Sequence, residues 1–174
     1  MNNEKLIIQS PEHLLAQVYA MKCESEDRLQ DLIDSLKQHN NSAAADVFSR
    51  TIELIKVSIK NIEQRTQGMQ LPEIPPWEAQ WHCEVQPDCL CIENAHYLMT
   101  PLQALELAIF NEKRLQEFFI LQVNKGVNED VRLIANEFLI QEKQLTVQMH
   151  SWKEQLEHSQ TEQNEDFDPP NVPE

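Results

Sequence analysis

The chain has 174 residues, of which 41% are hydrophobic and 25% charged, with a formal net charge of -15 and only two glycines. That charge excludes an extended phosphate-binding surface, which needs clustered lysine and arginine, so neither nucleic acid nor an anionic membrane surface is an expected partner. No run approaches the ~18 apolar residues that span a bilayer, and the start lacks the apolar stretch of an export signal, which together predict a cytoplasmic protein.

Leu, Glu, Gln, Lys and Ala are abundant, so the chain is rich in helix formers and is expected to be all-α. The first helix is announced by Ser10-Pro11, a capping residue followed by proline at the first helical position. Leu15, Val18, Lys22, Glu26, Leu29, Leu32, Ile33 and Leu36 then recur at three- and four-residue spacing, the stripe of an amphipathic helix. The pattern breaks at His39-Asn40-Asn41-Ser42, where Asn or Ser can cap a successor. That second helix presents Ala44, Phe48, Ile52, Ile55, Ile59 and Ile62 and ends near Gly68.

A linker from about Met69 to Met99 follows, in which Pro72, Pro75, Pro76 and Pro87 prevent a continuous helix. Thr100-Pro101-Leu102-Gln103 opens a third helix with a capping-box pattern, and its stripe is Leu105, Ala108, Glu112, Leu115 and Phe119, with Phe118 beside it. Gly126 ends it and Asn128, followed by two acids, starts the fourth. The fourth stripe is Val131, Ile134, Ala135, Phe138, Glu142, Leu145, Met149, Trp152 and Leu156. One domain is expected over residues 1–158. The acidic, proline-containing stretch 159–174 cannot bury enough apolar surface to fold alone and is expected to be disordered or draped on the surface.

Two helix hairpins with short internal turns, joined by one long crossover, describe a subclass of antiparallel four-helix bundle. The hairpins also echo each other in sequence: Glu26-Asp27-Arg28-Leu29-Gln30-Asp31 in the first and Glu112-Lys113-Arg114-Leu115-Gln116-Glu117 in the second. Each copy opens with a glutamate on the apolar stripe, where a carboxylate is costly unless something pairs with it.

With the stretch from Ala104 to Phe119, this pattern resembles the ferritin-like superfamily, and its rubrerythrin-type branch in particular. The resemblance implies a glutamate on helices one and three and a Glu-x-x-His pair on helices two and four, together holding two ions of iron or manganese. Glu26 and Glu112 match the single glutamates. Glu142 matches the glutamate of the fourth helix, but Leu145 stands at the histidine place. On helix two, one register fills the pair with Ile52 and Ile55, and a register shifted by one gives Glu53 and Lys56. Neither supplies a histidine.

Two readings of this set follow. In one, Glu26, Glu112, Glu142 and Glu53 keep a residual metal site, and the chain is an iron- or manganese-dependent oxidoreductase handling peroxide or oxygen. In the other, which the missing histidines favour, no cofactor is bound. Lys22, one turn before Glu26, neutralises the carboxylates with help from Gln116, Gln141 and water. The chain would then be a non-catalytic accessory or interaction module, expected to form a homodimer or to dock a protein partner. The linker holds a second constellation, His82, Cys83, Cys89, Cys91 and His96, whose residue types suit zinc or a redox-sensing dithiol, although the spacing matches no zinc-ribbon pattern.

Overall fold

A computed structural model describes residues 7–74 and 96–165, with side chains through 159. Four helices make it up: α1 (Pro11–Gln38), α2 (Ser42–Arg65), α3 (Pro101–Lys125) and α4 (Glu129–Glu165). They form a four-helix bundle, and no strand occurs among the described residues. None of the described helices is long and apolar enough to cross a membrane.

The ends of the helices follow from local chemistry. Ser10 accepts a hydrogen bond from the His13 backbone N–H, with Pro11 at the first position. Thr100 and Gln103 complete a reciprocal capping box at the start of α3. At Gly126 an added Cβ would lie 2.4 Å from the carbonyl oxygen of Gln122, so the chain can turn out of α3 there only without a side chain. Asn128 then accepts from the N–H groups of Asp130 and Val131 and caps α4.

The α1–α2 turn does two jobs with three residues. Asn40 adopts a left-handed φ of 58°, and the N–H of Asn41 bonds back to the Leu36 carbonyl at 2.9 Å, closing α1 in a Schellman-type turn. Asn41 also caps α2 by accepting from the Ala44 N–H, and its amide donates to the carbonyls of Tyr97 and Met99 at 3.0 and 2.8 Å. Asn41→Asp keeps the capping acceptor and loses the donor, whereas Asn41→Ala loses both. Thermal unfolding is therefore expected to rank wild type above Asn41→Asp above Asn41→Ala, with the alanine variant about 2 kcal/mol less stable.

Those bonds also orient the second hairpin. They place the start of α3 beside the α1–α2 turn. At the opposite end, Gln122 accepts from the Ile8 N–H and Asn128 donates to the Gln9 carbonyl, which places the end of α3 beside the start of α1. So α3 runs parallel to α2, and the segment between Arg65 and Pro101 must return the whole length of the bundle, roughly 35 Å for a helix of this size. The long crossover is thereby a geometric requirement.

The apolar core falls into two clusters. One, at the α1–α2 turn, gathers Leu29, Leu32, Leu36, Phe48, Ile52, Ile55, Leu105 and Met149 with their neighbours. The other, at the far end, gathers Leu14, Leu15, Val18, Ile62, Leu115, Phe119, Val131 and Phe138. The α4 helix continues to Glu165, into the stretch from 159 onward that was expected to be disordered or draped on the surface.

Candidate functional site

Along α1 the boundary between the two clusters falls between Met21 and Leu29, along α3 between Ile109 and Leu115, and along α4 between Leu139 and Met149. Lys22, Glu112 and Glu142 occupy those boundaries. The helical stripes dictate it: each residue sits one turn from a core neighbour on its own helix, Val18, Ala108 and Phe138 respectively, so each points inward.

The three side chains meet. Lys22 Nζ lies 3.1 Å from Glu112 Oε2 and 3.1 Å from Glu142 Oε2. Lys22 is 1% exposed, Glu142 2% and Glu112 5%, so this contact is shielded from water. Lysine and glutamate are almost never buried this far unless paired. Here one ammonium joins α1, α3 and α4.

Charge balance sets the protonation. With both carboxylates ionised the triad would carry an uncompensated negative charge in a medium that penalises it heavily. Burial pushes the Glu142 carboxyl up to about 8, against the pull of Lys22. Burial acts on Glu112 in the same direction, but the Lys22 ammonium and a hydrogen bond from Glu142 outweigh it and hold Glu112 below the usual carboxylate range. Burial opposes the charge on Lys22, and the two carboxyls more than offset it, so the ammonium persists. At neutral pH the triad holds one proton on Glu142 and is electrically neutral.

Neighbouring polar groups fix the α4 wall. Gln116 donates to the Glu142 backbone carbonyl at 3.1 Å and to Thr146 Oγ1 at 2.6 Å, and the Thr146 hydroxyl donates to the same carbonyl. Gln116 was expected to help neutralise the carboxylates; it bonds instead to the Glu142 backbone carbonyl and to Thr146. Gln141 is exposed and takes no part.

Glu26 is placed elsewhere. It lies only one turn beyond Lys22, yet it is half-buried and faces Lys56 of α2 at 3.8 Å. The expected Lys22–Glu26 pair does not form, because the Lys22 side chain reaches across the bundle to α3 and α4 while Glu26 lies half-buried on the side facing α2. Glu53 is exposed and paired with Lys56 at 3.3 Å, while Ile52 and Ile55 occupy the core. Leu145 packs partly buried against the first cluster.

These residues do not fit a dinuclear ion centre. Two divalent ions need about four carboxylates, completed by imidazoles. The inward carboxyls are those of Glu112 and Glu142, and the primary ammonium of Lys22 stands between them. Among the described residues, no three or more His, Cys, Asp or Glu side chains converge on a point that would hold a metal.

Of the linker constellation, His82, Cys83, Cys89 and Cys91 lie outside the described residues. His96 is exposed, and its backbone carbonyl accepts from the Met99 N–H. Cys23 is half-buried at the margin of α1 beside Tyr19, and burial pushes its thiol up.

Sequence reasoning had found all three members of the triad but missed two supporting groups. Gln122 is completely buried and tethers the segment before α1 through the Ile8 N–H, and Thr146 buttresses Glu142. Both were legible as polar residues at core spacing, three after Phe119 and four after Glu142.

The bundle is similar to the crystal structure of an uncharacterized conserved protein from Magnetospirillum magnetotacticum MS-1, with a TM-score of 0.62 and 27% sequence identity over 84% of this chain and 95% of the other. No family model and no curated protein matches the chain.

Proposed function

We propose that this chain is a rubrerythrin-type, ferritin-like bundle in which the Lys22 ammonium stands in for the metal ions, leaving a non-catalytic accessory or interaction module. The observation that carries the reading is the position of Lys22 Nζ, 3.1 Å from a carboxylate oxygen on each of two facing helices. A cation held at the centre of a bundle between α3 and α4 glutamates is the electrostatic role of a bound metal, performed here by a side chain. An ammonium has no vacant coordination position and no redox couple, so peroxide or oxygen chemistry finds no support at this point in the core.

The connectivity of the helices and the inward glutamates Glu112 of α3 and Glu142 of α4 support the ferritin-like assignment. Ile52, Ile55 and Leu145 support the loss of the second metal-binding wall. The test is elemental analysis of protein purified without chelator after growth with added iron and manganese. The expected result is far less than one ion per chain. Two tightly bound ions per chain would overturn the reading.

A further inference from the structure

Residues 7–9 precede α1 as a short strap, neither helix nor strand, and they are tied to the other hairpin. The Ile8 N–H donates to Gln122 Oε1 at 3.0 Å, and the Gln9 carbonyl accepts from Asn128 Nδ2 at 3.2 Å. Between these two bonds the Ile8 side chain, 7% exposed, joins the far-end cluster with Leu15, Ile62, Phe119 and Val131. Its neighbours do not follow it: Ile7 is half-buried and Gln9 is exposed. Gln122 continues the inward stripe of α3 beyond Phe119, where an aliphatic residue would pack without needing any hydrogen bond.

The end of the bundle therefore recognises three groups in succession: a backbone N–H, one aliphatic side chain and the next backbone carbonyl. Any extended peptide with an aliphatic residue presents them, and in such sites main-chain bonds give affinity while a side-chain pocket gives specificity. We infer that this groove, where α3 passes into α4, is a docking site for an extended aliphatic segment of a partner protein, and that residues 7–9 hold it closed as an intramolecular competitor. Glu12 follows the strap, and Glu129 and Asp130 follow Asn128, all three exposed, so the partner segment is basic or uncharged at its flanks.

The strap is held by less than the helices are. One buried side chain and two hydrogen bonds fix it, whereas α1, α3 and α4 are each held by a whole inward stripe, so it opens at a lower free energy than the bundle unfolds. Its short connection to α1 gives it an effective concentration in roughly the millimolar range, which keeps weak peptides out. Asn128 links the strap to the start of α4, because the side chain that holds Gln9 also accepts from the Asp130 N–H at 2.8 Å. The inference gives the interaction-module reading a surface but does not depend on the triad. Metal content tests the one and events at Ile8 the other.

Amide hydrogen exchange of the full chain, resolved by residue with NMR, needs no variant. The Ile8 amide is expected to exchange at least about a hundredfold faster than those of Leu15 and Phe119, through opening of the strap alone. Equal protection at Ile8 and Leu15 would make the strap part of the core and overturn the proposal. The second measurement is fluorescence anisotropy of a labelled peptide of residues 4–10 added to the full-length wild type and to the full-length Ile8→Ser variant. The peptide is expected to bind the variant at least about tenfold more tightly, since its own strap no longer competes well, and the Ile8→Ser version of the peptide is expected to bind neither. A peptide that binds neither protein, or both equally, would also overturn it.

Discussion

Lys22→Met is expected to destabilise the protein by about 3–5 kcal/mol at pH 7, the usual consequence of removing one partner from a buried ion pair. Methionine fills nearly the same volume, so the loss measures charge and not a cavity. It removes the cation that two carboxyls share at 3.1 Å and leaves both of them in the boundary between two apolar clusters. Denaturant unfolding monitored by circular dichroism reads it directly. The loss should shrink toward pH 5, where both carboxyls can be protonated in the variant. Replacing all three residues together, Lys22→Met with Glu112→Leu and Glu142→Leu, is expected to restore or exceed wild-type stability, because no charge then needs compensation. A single-variant loss below about 1 kcal/mol would show that the ammonium does not hold this layer together.

The second large effect is a decline in stability as pH rises from about 5 to about 8. Glu142 titrates near 8 when folded and near 4.5 when exposed. Between those values the folded chain keeps a proton that the unfolded chain has released, so raising the pH favours unfolding, by at most about 1.4 kcal/mol per pH unit for one such group. The contribution is fully present at and below the unfolded value and fully lost above pH 8. Glu112 acts in the opposite sense and lower down, since its depressed folded value gives stability that is lost only as pH falls below about 4.5. Lys22, raised from 10.5, matters only at high pH. The window between 5 and 8 therefore belongs to Glu142. Unfolding midpoints at half-unit pH intervals should fall across that window in the wild type, and Glu142→Gln should flatten the decline. A wild-type curve that rises or stays level would mean that Glu142 is ionised in the folded chain.

Both effects concern residues that were visible in the sequence, and the comparison shows where that visibility stops. Helix boundaries at Ser10, Asn41, Thr100 and Gly126 were legible because capping and turn-forming side chains act on backbone groups within a few positions. The inward stripes were legible because a 3.6-residue period places core residues regardless of what they pack against. Glu112 and Glu142 were found for that reason, and so was Lys22. The choice between two registers on α2 was not available from periodicity alone, since Ile52 and Glu53 lie only one residue apart. Burial of Ile52 and Ile55 resolved it.

What the sequence by itself determined is the set of four helices, their pairing into hairpins, and an inward lysine and glutamates at mid-height. Only the tertiary structure decided which carboxylates that lysine serves. Proximity along α1 pointed to Glu26, one turn away, whereas the folded chain sends Nζ across the bundle to Glu112 and Glu142. The physical reason is that a buried charge is stabilised by whatever lies nearest in the water-excluded layer. That layer is built by α3 and α4, which lie 90 and 120 residues away in the chain.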